Sequence, residues 1–337
     1  MTWYNKCVLV TGAAGFIGSH LTEALVRSGA KVRAFVRYNS GNGRGNLEDL
    51  EGSLLENLEI IAGDLRDSDA IERAVAGCEV VFHLGALVGI PYSYQNPREV
   101  VETNVLGTLN ILTAAREQGI RRLVHTSTSE VYGSANYVPI DEKHRLQGQS
   151  PYSASKIGAD KLAESFYAAY DLPVVTVRPF NSYGPRQSAR AVIPTMITQA
   201  LSGDNIRLGN TETKRDFTFV TDTTAAFLAA AQAENAVGRV FNAGSGREIA
   251  IGQLAKIISQ TVQKPEMEKN LKGPVILVEQ ARLRPRRSEV NRLLADNRLA
   301  KEVLGWEPQV TLEEGIKRTV SWIAAHLERY QVGKYQI

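Results

Sequence analysis

Short apolar runs alternate with amphipathic stretches along the first 180 residues of the chain. The runs are rich in β-branched residues, which is typical of strands buried on both faces of a parallel sheet, and between them apolar residues recur at helical spacing. The predicted strands cover residues 7–11, 31–36, 58–62, 80–84, 122–126 and 174–178. The predicted helices cover the stretch ending at Ser28 and residues 68–76, 97–118 and 151–170.

This alternation predicts an α/β fold with a doubly wound parallel sheet, because helices that join parallel strands cover both faces. After Pro179 the rhythm breaks, and a smaller C-terminal α/β lobe is predicted. We expect residues 1–180, with a returning segment at 217–244, to form the first domain, and residues 181–216 and 245–337 to form the lobe. In this second part we predict helices at 193–202, 222–233, 251–261, 297–304 and 312–328, and strands at 215–220 and 240–243.

Three glycines, Gly12, Gly15 and Gly18, follow the first predicted strand and open the first predicted helix. Glycine there allows a tight turn and close approach to a pyrophosphate, which the helix N-terminus binds through its amides. The pattern predicts a Rossmann-type site for NAD or NADP, the alternative being a glycine turn without a ligand.

The residues after the second and third predicted strands bear on the choice of dinucleotide. Val36 stands where an acid for the ribose 2′-hydroxyl is usual, and Arg37 follows it. A guanidinium without a carboxylate suits a 2′-phosphate, so NADP is favoured over NAD, although Arg37 also fits a solvated surface residue. Asp64 and Leu65 are placed to meet the adenine.

Composition narrows the class of protein. The chain has 337 residues, 39 Lys and Arg against 36 Asp and Glu, and two cysteines. The balanced charge favours neither nucleic acid nor an anionic membrane as a partner. Cys7 and Cys78 make no disulfide framework, which suits a reducing compartment, and neither they nor the histidines show metal-ligand spacing. No apolar run is long enough for a transmembrane helix, and the polar N-terminus does not resemble a signal peptide, so we expect a cytoplasmic protein without a metal.

The candidate catalytic residues lie near the predicted carboxyl edge of the sheet, where ligands bind in such folds. Tyr152 and Lys156 are four residues apart and share a helix face. A nearby ammonium lowers the pKa of a phenol, so this tyrosine can exchange protons with a sugar hydroxyl. Thr128, Ser129 and Glu130 follow the preceding strand; for Glu130 the alternative is a solvated loop acid.

These pieces together resemble the extended short-chain dehydrogenases/reductases that act on nucleotide sugars. The resemblance covers nearly the whole chain in family order, through residues 11–18 (TGAAGFIG), 83–86 (HLGA), 104–108 (NVLGT), the Tyr152/Lys156 pair, 178–185 (RPFNSYGP), 215–217 (RDF) and 304–308 (LGWEP). It implies dinucleotide contacts for Gly12, Gly15, Phe16, Ile17, Gly18, Arg37, Asp64, Leu65, Leu84, Ala86, Tyr152 and Lys156. It implies substrate contacts for Val88, Asn181, Arg215 and Arg284, the last three at the diphosphate.

Within this family, the Thr128-Ser129-Glu130 triplet resembles that of 4,6-dehydratases. Tyr152, Lys156 and Thr128 would then support oxidation at C4, Glu130 would remove the C5 proton, and Glu130 or Ser129 would assist loss of the C6 hydroxyl as water. UDP-glucuronate decarboxylases also carry the triplet, but residues 147–151 lack the arginine that meets the substrate carboxylate. Residues 89–94 and 186–190 are similar to dehydratases of legionaminic-acid-type pathways, which implies a GDP- or UDP-activated N-acetylglucosamine.

Three alternatives stay open at this point: a 4-epimerase, a UDP-glucuronate decarboxylase and a non-catalytic dinucleotide-sensing regulator. A 4-epimerase needs only the tyrosine, lysine and threonine, whereas a regulator of this kind usually loses the Tyr/Lys pair, which is intact here. The resemblance further implies a homodimer or homotetramer formed through the helices near residues 104–118 and 152–170.

Overall fold

The computed structural model describes residues 2–41, 43–262 and 275–330. In the first half, strands and helices alternate as the hydrophobic pattern predicts. They are β1 (Cys7–Thr11), α1 (Phe16–Arg27), β2 (Lys31–Arg37), β3 (Leu58–Gly63), α2 (Ser68–Val75), β4 (Val80–His83), α3 (Ile90–Gln95), α4 (Pro97–Val101), α5 (Gly107–Glu117), β5 (Arg122–Thr126), α6 (Pro151–Tyr170) and β6 (Val174–Pro179). A π-helical turn over Glu102–Leu106 joins α4 to α5, so the predicted helix at 97–118 is one irregular helical run.

The second half has shorter strands and a less regular order. Its elements are β7 (Asn181–Tyr183), α7 (Val192–Leu201), β8 (Ile206–Leu208), β9 (Lys214–Phe219), α8 (Val220–Gln232), β10 (Val240–Ala243), β11 (Glu248–Ala250), α9 (Ile251–Val262), β12 (Ile276–Val278), α10 (Arg298–Leu304) and α11 (Leu312–Ala325). Helix α11 ends earlier than predicted and a 3₁₀ turn over Leu327–Arg329 follows it. Residues 263–274 and 331–337 of the predicted lobe lie outside the described residues.

Seven parallel strands of the described chain form one sheet in the order β10-β6-β5-β4-β1-β2-β3. The order runs outward in both directions from the β1–β4 pair, which confirms the doubly wound α/β fold. In such sheets the crevice beyond the carboxyl ends of the two central strands binds ligands. Here that crevice lies beyond Thr11 and His83, which stand opposite each other.

The sheet separates two apolar layers because successive side chains of a strand point to opposite faces. Val10 and Phe82 belong to the layer that also contains Phe227 of α8. Leu9 and Val81 belong to the layer that packs under α2 and α5. With both faces covered, the strands are apolar at almost every position, which explains why their sequences read as continuous runs.

The smaller sheets belong to the second half of the chain. One has the order β11-β9-β7 and the other pairs β12 with β8. A separate apolar cluster, which includes Ile197, Phe217, Leu254 and Ile316, joins these strands to α7, α9 and α11. Strand β10 lies between these segments in sequence but in the large sheet in space, so the chain crosses between the two groups of elements more than once. No helix in the described ranges is both long and apolar enough to cross a membrane.

Candidate active site

The glycine turn between β1 and α1 is closed so tightly that side chains are excluded. A Cβ on Gly18 would lie 2.1 Å from the carbonyl oxygen of Gly12, and one on Gly12 would lie 2.9 Å from the Cα of Gly85. Gly12 also has a φ of +68°, a conformation that glycine adopts without strain. The turn therefore brings the first amides of α1, those of Phe16 and Ile17 included, to the carboxyl edge of the sheet, where helix amides bind phosphate.

A cavity of about 130 Å³ lies beside this turn. Its lining residues include Gly12, Phe35, Arg37, Asp64, Leu65, Arg66, Gly85 and Ala86. Two guanidinium groups and one carboxylate thus border it, and the carboxylate is engaged: Asp64 Oδ2 lies 2.6 Å from Arg66 Nη2. That hydrogen bond lowers the pKa of Asp64. Arg37 is largely exposed, with Nη2 3.4 Å from Oε1 of Glu99.

The glycine turn and the cavity beside it have the features that binding of a dinucleotide requires. The turn presents helix amides to a phosphate, the adjoining cavity has the apolar surface of Phe35 and Leu65, and polar groups converge at its rim. The residues present therefore fit the group that the glycine pattern predicts.

Helix α6 carries Tyr152 and Lys156, and its start is fixed by a reciprocal cap. Ser150 Oγ accepts from the amide of Ser153 at 3.1 Å, and Ser153 Oγ accepts from the amide of Ser150 at 3.0 Å. Pro151 occupies the first helical turn, where its missing N–H has no cost. This cap sets the register of the helix so that Tyr152 faces the loop after β5.

Burial dominates the electrostatics of the Tyr152/Lys156 pair. Tyr152 is 7% exposed, and burial raises its pKa even though a hydrogen bond with Thr128 acts in the opposite direction. This corrects the lowered pKa that the spacing predicts for the phenol. Burial also lowers the pKa of Lys156 to about 8, while the charge of Asp160 opposes that shift. The pair is therefore enclosed, and its lysine titrates near neutral pH.

The loop after β5 presents the acid of the predicted triplet. Thr128 caps a 3₁₀ turn over Ser129–Tyr132, with its hydroxyl oxygen accepting from the amide of Glu130 at 3.2 Å. Ser129 is buried. The Glu130 carboxylate lies 3.6 Å from Nη1 of Arg284, a residue 154 positions further along the chain. Glu130 is thus held at the catalytic cluster rather than solvated in a free loop.

A buried ionic cluster lies beneath Lys156. The Asp160 carboxylate accepts from Arg178 Nη2 at 2.9 Å and from Ser127 Oγ at 2.7 Å, and it pairs with His125 Nε2 at 3.1 Å. Burial alone would raise the pKa of Asp160, but these partners lower it to about 2. The carboxylate therefore stays ionised one helical turn below the lysine, where its charge favours the ammonium.

A second cavity, of about 310 Å³, adjoins Glu130 through Arg284. Asn181 lines it, and so do five arginines: Arg190, Arg207, Arg215, Arg282 and Arg284. Burial lowers the pKa of Arg215, whose Nη2 lies 3.5 Å from Glu289. Such a concentration of guanidinium groups, with Glu289 as the carboxylate of the lining, suits a polyanion such as a diphosphate.

The structure brings most of the predicted residues together. Thr128, Glu130, Tyr152 and Lys156 meet at one end of the sheet, and Asn181, Arg215 and Arg284 line the adjoining cavity. Leu84 follows β4 beside the glycine turn, where a Cβ on Gly12 would lie 3.1 Å from its carbonyl carbon, and its side chain packs against the apolar layer of the sheet. Val88 is 64% exposed.

Sequence reasoning missed two groups of residues. Arg190, Arg207 and Arg282 come from three separate segments, and although Arg190 closes the segment 186–190 noted above, no pattern in the sequence predicts that the three meet at one cavity. Asp160 had a signal that was available: it follows Lys156 by four residues and shares its helix face. In the part of the chain that the structure describes, no group of three or more His, Cys, Asp or Glu side chains could hold a metal ion.

Comparison with known proteins places this geometry in context. A family model described as GDP-mannose 4,6 dehydratase matches residues 9–319. UDP-glucose 4-epimerase of Mycolicibacterium smegmatis is 35% identical over 93% of this chain and 97% of its own length. UDP-N-acetyl-alpha-D-glucosaminuronate decarboxylase of Bacillus cytotoxicus is 34% identical over 94% of this chain and 98% of its own. The structure of dTDP-glucose 4,6-dehydratase from Bacillus anthracis in complex with NAD superposes with a TM-score of 0.82, at 28% identity, over 97% of this chain and 99% of that one.

Proposed function

This chain belongs to the extended short-chain dehydrogenase/reductase family of nucleotide-sugar dehydratases and epimerases, and we propose that it is an NAD(P)-dependent 4,6-dehydratase. Its substrate in this proposal is a GDP- or UDP-activated N-acetylglucosamine, and its product is the 4-keto-6-deoxy sugar. Its relatives perform epimerisation, decarboxylation and dehydration, so the reaction has to be argued from the site.

The observation that carries the proposal is the position of Glu130. Its carboxylate lies in the loop that also presents Thr128 to Tyr152, and its ion pair with Arg284 holds it at the mouth of the arginine-rich cavity. Exchange of configuration at C4 needs no acid at this point, whereas elimination across C5 and C6 needs a group that removes the C5 proton. A carboxylate is a suitable base for that step.

In this proposal each catalytic role falls to a side chain of the cluster. Tyr152 Oη takes the proton of the C4 hydroxyl, and Thr128 Oγ1 hydrogen-bonds the same oxygen. The positive charge of Lys156 offsets the burial that disfavours the Tyr152 phenolate, and the charge of Asp160 favours the protonated form of that lysine. Glu130 takes the C5 proton, and Glu130 or Ser129 delivers a proton to the C6 oxygen, which leaves as water.

A nicotinamide dinucleotide, when bound, would accept a hydride from C4 and return it at C6. The Gly12–Gly18 turn, Asp64, Leu65 and Ala86 would hold its adenosine and phosphate portions, and Tyr152 and Lys156 its nicotinamide end. Arg215 and Arg284 would bind the substrate diphosphate together with Asn181. In this proposal residues 1–180 with 217–244 serve the dinucleotide, and residues 181–216 and 245–337 serve the nucleotide sugar.

Glu130→Gln tests the reaction type because glutamine keeps the shape but cannot accept the C5 proton. With UDP- or GDP-N-acetylglucosamine in heavy water, the variant should reduce the dinucleotide and stop there. We expect an absorbance rise of reduced nicotinamide, deuterium incorporation at C5 lowered by about 10²–10⁴-fold, and no mass loss of water.

Arg284→Gln is the matched control, because it breaks the same ion pair but keeps the acid. It should weaken substrate binding and still exchange the C5 proton once substrate is saturating. Equal C5 exchange in wild type and Glu130→Gln would refute the dehydratase proposal, and a C4 epimer formed without loss of water would establish the epimerase instead.

We further propose that the dinucleotide is NADP, supported by Arg37 and Arg66 at the rim of the cavity and by the engagement of Asp64 with Arg66. Denaturing the purified protein and identifying the released dinucleotide tests this. We expect NADP(H), and we expect Arg37→Ala to weaken NADP binding at least tenfold while changing NAD binding less than threefold, in line with loss of a charge-assisted contact. Release of NAD(H) alone would contradict the preference.

A further inference from the structure

The two cysteines of the chain meet at the edge of the sheet opposite the candidate active site. Cys7 opens β1 and Cys78 stands two residues before β4, and their Sγ atoms are 3.2 Å apart. Strands β1 and β4 pair in parallel, and the amide of Glu79 donates to the Cys7 carbonyl at 2.9 Å. The two cysteines are 71 positions apart in the sequence, and the pairing of the central strands brings them together as a thiol pair.

A fixed cation lies beside the pair. Arg33 Nη1 is 3.8 Å from Cys78 Sγ. The guanidinium is held by its Nε, which donates to Glu59 Oε2 at 2.8 Å, and by a bond from Nη1 to the carbonyl oxygen of Ala74 at 3.2 Å. A positive charge in this position favours a thiolate over a thiol.

The two sulfurs differ in access and acidity. Cys78 is buried, whereas Cys7 is half-buried and lines an open cavity of about 340 Å³ shared with Arg33 and Glu59. A hydrogen bond from Cys78 and the charge of Arg33 lower the pKa of Cys7 to about 7, against burial and the charges of Glu59 and Glu79. The pKa of Cys78 is raised by its bond to Cys7 and by burial. Cys7 is thus the more accessible and more acidic thiol, and Cys78 is the buried, less acidic partner.

We propose that Cys7 and Cys78 are an oxidisable pair that a hydroperoxide converts into a disulfide between the start of β1 and the turn before β4. The Cys7 thiolate attacks the peroxide, whose O–O bond breaks; Cys7 becomes a sulfenic acid and the departing alkoxide or hydroxide takes a proton. Cys78 then attacks the Cys7 sulfur, its S–H proton combines with the displaced hydroxide, and water leaves. Two thiols and one hydroperoxide give one disulfide, one alcohol or water molecule from the peroxide, and one further water.

The disulfide would tie together the two strands that lead to the glycine turn and to His83. Strand β1 places Cys7 roughly 16 Å from the turn, so the oxidation site is remote from the reacting groups. A crosslink between residues 71 apart restricts the unfolded chain, and we expect the oxidised protein to unfold about 3–10 °C higher than the reduced protein.

Intact-mass analysis after brief exposure to one equivalent of hydrogen peroxide tests the pair, because the chain has two cysteines and every thiol signal comes from them. Wild type should lose two hydrogen masses, recover them with a reductant, and give a crosslinked peptide containing Cys7 and Cys78. Cys78→Ser should stop at a Cys7 sulfenic acid that a dimedone probe traps. Cys7→Ser should keep a thiol that resists peroxide.

Alkylation of reduced wild type by iodoacetamide over a pH series supplies a readout that needs no variant. Cys7 should react with a midpoint near pH 7 and Cys78 should remain unmodified in the folded protein. Retention of both thiols under peroxide, oxidation of Cys7 to a sulfinic acid without a disulfide, or crosslinking only between chains would overturn the proposal. So would preferential alkylation of Cys78.

Discussion

The ammonium group of Lys156 is buried in the folded protein, and the free energy that its burial costs can be measured. Its pKa is about 8 in the folded protein, against an ordinary value of 10.5. The folded state therefore binds this proton less well than the unfolded state does. This group favours folding most above pH 10.5, and that contribution is lost as the pH falls through 8, so at neutral pH the buried charge lowers the free energy of unfolding.

Replacing Lys156 with methionine should consequently make the protein more stable and inactive. At pH 7 the free energy of unfolding should rise by up to about 3 kcal/mol, because a shift of one pKa unit corresponds to about 1.4 kcal/mol. At pH 9.5 the gain should fall to about half, since the lysine is then neutral when folded. Urea denaturation at the two pH values measures both quantities.

Lys161→Met is the matched control on the same helix, because that ammonium is exposed beside Glu164. It should change stability by less than about 0.5 kcal/mol at either pH and leave turnover intact. A Lys156→Met protein that is less stable than wild type at pH 7 would mean that contacts of the lysine, rather than the cost of its charge, decide the balance.

At the scale of elements, the sequence predicted those strands and helices that are long enough to show a hydrophobic period. The strands β1, β5 and β10 and the helix α6 were predicted with their observed bounds, because buried strands read as apolar runs and α6 begins at a proline that follows a serine cap. The three-residue strands β7, β8, β11 and β12 were missed. They are too short to show a period, and distant partners such as β9 determine that they pair at all.

The glycine turn before α1 can be tested as the phosphate site by adding one Cβ, which would push α1 away from β1. In Gly18→Ala the methyl group would meet the Gly12 carbonyl oxygen at 2.1 Å, and backbone must move. We expect a loss of about 1–3 kcal/mol in stability and at least tenfold weaker binding of NADP and NAD alike. Calorimetric titration and thermal unfolding measure the two effects.

Gly52→Ala serves as the comparison, since a Cβ there meets no atom within 4 Å. It should leave dinucleotide affinity unchanged and stability within about 0.5 kcal/mol of wild type. If Gly18→Ala bound the dinucleotide as tightly as Gly52→Ala does, the turn would not be the phosphate site.

At the scale of the whole molecule, the candidate site is assembled from segments that no local pattern connects. Glu130 meets Arg284 and Arg215 meets Glu289 across more than seventy residues of sequence. Resemblance to a family predicts Arg215, which stands in the motif at residues 215–217, and Arg284 as substrate contacts. It could not show that Arg190, Arg207 and Arg282 join them, since that depends on how three separate segments, β8 among them, meet at the cavity.

The surface formed by α4, the π-helical turn and α6 exposes apolar side chains, which predicts a contact between subunits. Val101 and Leu106 are exposed on α4 and the π-helical turn, both of which pack against α6, and Leu106 is 49% exposed. Apolar side chains gathered on neighbouring helices are typical of a subunit contact. We therefore expect sedimentation at micromolar concentration to give a homodimer or homotetramer, and Leu106→Glu to shift it toward a smaller species, because a charge would be buried in the contact. Val278→Glu is the control, since that valine is exposed on β12 and its replacement should leave the assembly unchanged. A monomeric wild type would mean that there is no such contact, and equal assembly of the two variants would mean that the contact lies elsewhere. Leu106 would then need no partner, because single exposed apolar side chains are ordinary on monomers.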